Sequence, residues 1–110
     1  MTATAEIDAG ICGFHAAARA ACEDSQNVSF DINSDCDKIR GLAAALANAG
    51  PIDAYQEIDP NGRSAILATA RSCLKGCCSG CVVPIGLFKA MQVAAGLALP
   101  REVAVRLSAT

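Results

Sequence analysis

Four thiols stand within nine residues in the run Cys73-Leu74-Lys75-Gly76-Cys77-Cys78-Ser79-Gly80-Cys81. Inside it, Cys78-Ser79-Gly80-Cys81 is a C-x-x-C step, and its short loop lets two sulfurs face one metal centre. Gly80 removes a Cβ that would keep backbone N–H groups from pointing at sulfur, and Pro84 is placed to open a helix directly downstream. The positive end of that helix favours thiolate over thiol. Cys36 has the same setting in Ser34-Asp35-Cys36-Asp37, at the start of a second expected helix. Cys12 lies in Gly10-Ile11-Cys12-Gly13, where glycines let backbone approach a ligand closely. The expected ligand set is Cys12, Cys36, Cys81 and one of Cys77 or Cys78.

The remaining residues able to do chemistry are few. Cys22 and Cys73 continue the apolar faces of a strand and a helix and read as core, because a free cysteine packs as a small hydrophobe. His15 is the only histidine, and the alternation around it puts it on a solvent face. Asp35 and Asp37 flank Cys36, where capping and compensation of the helix dipole explain them. A Ser/His/Asp set and a glycine-rich phosphate loop are both missing, so a binding protein is expected before an enzyme. The aliphatic wall Val82-Val83-Pro84-Ile85 and the lack of paired C-x-x-C modules favour an iron–sulfur cluster, 4Fe-4S above others, over zinc. Two alternatives stay open: a structural zinc domain for protein interaction, and a metal-free thiol or persulfide sulfur carrier. The run also departs from the ferredoxin pattern C-x-x-C-x-x-C-x-x-x-C-P through its adjacent Cys77-Cys78 pair.

Seven cysteines in 110 residues, without a basic n-region or apolar h-region in the first ten, predict a reducing cytoplasmic setting and metal or redox use of the thiols. The length suits one domain, 1–110. The net charge of −2, with Lys and Arg scattered, argues against nucleic acid as a partner. From Cys81 to Pro100 the only charged residue is Lys89. That stretch has the length of a membrane span, but Pro84, Lys89 and Gln92 interrupt it and a buried core helix is the better reading. The expected partners are a redox or cluster-acceptor protein, or a second copy of the chain.

Several elements must position these thiols. Phe14, Ala16, Ala18, Ala20 and Cys22 alternate with polar residues as a half-buried strand, and Val28, Phe30 and Ile32 form its hairpin partner across the polar run 23–27. Ser34-Asp35-Cys36-Asp37 offers two N-cap candidates to a helix bearing Ile39, Leu42, Ala43 and Leu46, which Asn48-Ala49-Gly50-Pro51 ends. A short element at 52–58 and a helix from Ser64 to about Leu74 lead into the cysteine loop. The Pro84 helix buries Leu87, Phe88, Met91, Ala94 and Ala95. The tail alternates Val103, Val105 and Leu107 with Glu102, Ala104 and Arg106 as a last strand able to join the hairpin. The expectation is an α+β domain: a small antiparallel sheet, hairpin plus C-terminal strand, with about three helices on one face. His15, Arg19, Asp31, Asn33 and Arg106 would cover the other face.

The segments Ile11-Cys12-Gly13-Phe14, Ser34-Asp35-Cys36-Asp37-Lys38-Ile39 and Lys75-Gly76-Cys77-Cys78-Ser79-Gly80-Cys81-Val82-Val83-Pro84 together resemble a small uncharacterised cysteine-rich family of anaerobic bacteria and archaea. The resemblance spans nearly the whole chain and implies a setting in which an oxygen-sensitive cluster persists. In arrangement the chain is also similar to iron–sulfur scaffold proteins, in which a strand ends at a cysteine that opens a helix, as Ser34-Asp35-Cys36 does. That likeness is one of fold-level analogy.

Overall fold

The computed structural model describes residues 1–110. Its elements are strands β1 (Thr2–Asp8), β2 (His15–Cys22) and β3 (Asn27–Ser34), helix α1 (Asp37–Ala49), the two-residue strand β4 (Ile52–Asp53), and helices α2 (Ala54–Ile58), α3 (Ala65–Cys73) and α4 (Val83–Ala94). A 3-10 turn, Gly76–Gly80, connects α3 to α4. The strands form one antiparallel sheet in the order β1-β2-β3-β4, so the α+β class follows the residue patterns.

Alternation decides the sheet. Ala3 and Ile7 of β1, Ala16, Ala18, Ala20 and Cys22 of β2, and Val28 of β3 are buried on one face, while Thr4, Glu6, Arg19, Asp31 and Asn33 lie exposed or half-exposed on the other. Helix α4 packs across β1 and β2, α1 packs on β3, and α3 fills the space between the two helices. Nine of the 21 core residues are alanine, so these layers approach closely. The stretch Gly76–Ala94 is long and apolar enough to cross a membrane. Within it, α4 turns Val83, Pro84, Leu87, Ala90, Met91 and Ala94 into the core.

The third full strand is β1, not the tail. Residues 101–110 carry no regular structure, and Val103, Val105 and Leu107 are exposed. In β1, Ala3, Ala5 and Ile7 alternate with Thr2, Thr4, Glu6 and Asp8 in the same way, and β1 pairs with β2 along its whole length, from Thr2↔Ala21 to Asp8↔His15. A turn of six residues brings β1 onto β2, whereas the tail must return from the far end of α4. The shorter closure wins the β2 edge.

Two caps refine the helix starts. Ser64, where the helix is expected to start, is the cap of α3 and accepts from the Leu67 N–H. Asp53, the last residue of β4, caps α2 by accepting from Tyr55 and Gln56 N–H. At α1 the N-cap position falls on Cys36, and Ser34 and Asp35 serve β2 instead.

Candidate metal centre

Three chain segments meet at one end of the sheet. The first is the turn from β1 to β2, closed by Ala9 N–H donating to Phe14 O at 3.0 Å and Gly13 N–H donating to Gly10 O at 2.9 Å. Gly10 and Gly13 hold φ angles of 95° and 75°, a region that only glycine enters without steric cost. This left-handed frame carries Cys12 on the surface.

The second segment is the turn from β3 into α1. Ser34 Oγ donates to the His15 carbonyl at 2.7 Å and accepts the Cys36 N–H at 3.1 Å, while Asp35 Oδ1 accepts the His15 N–H at 2.8 Å. The two bonds to His15 tie the turn to the first residue of β2, and so to the Cys12 turn. Cys36 is in extended conformation and its side chain makes no capping bond. The sulfur is left free at a helix N-terminus, where the backbone dipole favours negative charge.

The third segment follows α3. Buried Leu74 anchors it, after which Cys78 N–H donates to Lys75 O at 3.3 Å and Cys81 N–H donates to Cys78 O at 3.1 Å. This tight turn points Cys77 to solvent and leaves Cys78 and Cys81 half-buried against the core. Lys38, in the first turn of α1, donates from Nζ to Cys78 Sγ at 3.4 Å. The contact joins the 3-10 turn to the helix that Cys36 opens.

The electrostatics around Cys81 report the convergence. Burial pushes its thiol above the ordinary cysteine range; the Val83 N–H bond to the sulfur pulls the other way; and Cys12, Cys36 and Cys78 each push it up again, because their thiolates would repel its own. Cys12, Cys36 and Cys78 thus lie within electrostatic reach of Cys81, and Cys77 is not among the groups that act on it. No three His, Cys, Asp or Glu side chains are grouped closely enough to hold a single metal ion.

The other thiols have different surroundings. Cys22 is fully buried, its Sγ 3.7 Å from Asp24 Oδ1, and Cys73 is half-buried against the core from α3. His15 is exposed and bonds Asp8 Oδ1 through Nδ1 at 2.9 Å, and Asp37 pairs with Arg40. Two residues escaped the pattern reading. Lys38 was one, although its place two residues after Cys36 puts it on the first turn beside the thiols. The other is Glu57, a buried carboxylate that accepts from Ser64 Oγ at 2.8 Å, Ala65 N–H at 2.5 Å and Ile66 N–H at 3.0 Å. It seats the N-terminus of the helix leading to the cysteine turn.

A model described as a family of unknown function (DUF6951) matches residues 3–107. No curated protein and no solved structure matches the chain.

Proposed function

We propose for this chain, which belongs to the family of unknown function DUF6951, that Cys12, Cys36, Cys78 and Cys81 hold an iron–sulfur cluster, 4Fe-4S above others, and that the domain transfers electrons or delivers the cluster to a protein partner. The observation that carries the reading is the gathering of Cys12, Cys36 and Cys78 around Cys81 from three segments of the chain. As thiolates these sulfurs would repel one another, so a cationic centre placed among them would be held by all four. Lys38 is the one basic side chain bonded to these sulfurs, and a single ammonium does not balance four thiolates.

We favour a cluster over a single zinc ion on the donor chemistry, which is all thiolate beside the aliphatic residues Val82-Val83-Pro84-Ile85. Zinc–sulfur bonds of about 2.3 Å would place four tetrahedral sulfurs roughly 3.8 Å apart. A cubane takes one thiolate per iron and spreads the sulfurs more widely. When bound, such a cluster supplies one-electron redox chemistry. The chain's own residues do the rest. Val83 and Pro84, which follow Cys81 into α4, are buried, the starts of α1 and α4 orient N–H groups toward negative charge, and the Cys12 turn is exposed to a partner. A reducing, cytoplasmic and oxygen-poor setting belongs to the same reading, as does the likeness in arrangement to scaffold proteins in the strand that ends before Cys36.

The test is metal content after anaerobic preparation of single variants. Cys36→Ala and Cys81→Ala should lose most of the bound iron, and Cys12→Ala and Cys78→Ala a large part of it. Cys22→Ala, Cys73→Ala and Cys77→Ala should stay near the parent. Full iron retention in Cys36→Ala would refute the convergent site.

A further inference from the structure

We infer that residues 104–110 of one copy add as an antiparallel strand to the outer edge of β1 in a second copy, so that two chains exchange tails about a two-fold axis. Two incomplete features meet in this pairing. Strand β1 is at the sheet's edge, seven residues long without Pro or Lys, and folded proteins rarely leave such an edge unprotected. The tail carries strand-like alternation with nothing to pack on, Val105 and Leu107 being 70% and 92% exposed.

One antiparallel register satisfies both along their whole length. It sets Val105 against Ile7, Leu107 against Ala5 and Ala109 against Ala3 on the core face. On the solvent face it sets Arg106 against Glu6 and Ser108 against Thr4. Glu6 is the carboxylate that needs a partner, since it lies opposite Ala17 on β2, whereas Asp8 lies opposite His15. The other open edge, on β3 beyond β4, offers Asp31, but Arg19 already lies opposite that residue. Charge therefore selects β1.

A second copy supplies this edge more readily than the chain's own β1. Helix α4 begins over Ile7, close to Gly86, and its 12 residues carry the chain about 18 Å away. To enter β1 antiparallel from the Asp8 end, the chain would have to travel back along that length. Residues 95–103 are long enough for that return, yet in the structure residues 101–110 stay off the chain's own sheet with Val105 and Leu107 exposed, and exchange between two copies gives an isologous, closed contact.

Sedimentation of the full chain tests this. The parent should be a dimer, and removal of 104–110 should give a monomer with unchanged circular dichroism. Arg106→Glu and Glu6→Arg should each weaken association about tenfold or more, since each reversal places like charges opposite one another twice in the dimer. The double variant Glu6→Arg with Arg106→Glu should regain dimerisation, and Asp31→Arg with Arg106→Glu should not. A monomeric parent, a dimer indifferent to loss of the tail, or rescue by Asp31→Arg would each overturn the inference. Hydrogen-exchange protection of 104–110 in a monomer would do so as well, by placing the strand on its own sheet.

Discussion

The ionisable residues near the centre make separable predictions. The Asp8 hydrogen bond raises the His15 pKa, so the imidazolium is favoured in the folded chain. Its stabilising contribution is complete below the unfolded value of about 6.5 and is lost as pH rises through the higher folded value. Proton NMR should find the His15 midpoint above the ordinary histidine range, and Asp8→Asn should bring it back. Lys38 is a charge beside a ligand sulfur, and Lys38→Gln should move the reduction potential of the loaded protein to more negative values while iron content holds; an unmoved potential would reduce Lys38 to a surface contact. Glu57→Ala leaves two α3 N–H groups without their acceptor and should cost about 1–3 kcal/mol in chemical denaturation. At this scale the sequence was uneven. Cys77 and Cys78 are neighbours in one run, and only the rotation of the 3-10 turn separates an exposed thiol from a half-buried one. Glu57 caps a helix whose first residue is eight positions away, beyond the reach of any local capping rule.

Among the elements, the Gly76–Gly80 turn is the one that packing holds least, with no buried residue of its own. Metal–ligand free energy should therefore order it. Loading the centre should slow hydrogen exchange from Gly76 to Val83 and leave β2, β3 and α1 unchanged, whereas equal protection of the turn in both forms would mean that packing alone orders it. The contact between α4 and β1 is tight for a different reason. A Cβ on Gly86 would fall 2.8 Å from Ile7 Cγ1, so Gly86→Ala should destabilise the fold by about 1–2 kcal/mol, and Ile7→Val should recover part of the loss. Long periodic elements such as β2, β3, α1 and α4 were legible from residue spacing. The choice between β1 and the tail as third strand was not, because both alternate. What separates them is chain closure: a six-residue turn leads from β1 to β2, while the tail arrives only after α4. The alanines of β1 also weaken its strand signal, although Ile7 and the two threonines carry the same period.

For the molecule as a whole, the sheet places its two loops and the entry to α4 at one end, and this brings the segments that carry residues 12, 36, 78 and 81 to the same region although they are far apart in the chain. The sequence showed which thiols occupy glycine turns and helix starts; that these positions share one end follows from strand order, which residue spacing does not encode. A core rich in alanine leaves a modest reserve of stability, so filling the centre should raise the melting temperature and a chelator should lower it. The most direct measurement of the central claim is the absorption spectrum of anaerobically purified protein together with its iron and acid-labile sulfide content. A brown protein with a broad band near the blue end of the visible range, and iron and sulfide in equal amounts lost together in Cys81→Ala, is the predicted result. A colourless protein that takes up zinc alone, or no metal after anaerobic reconstitution with iron and sulfide, would contradict it.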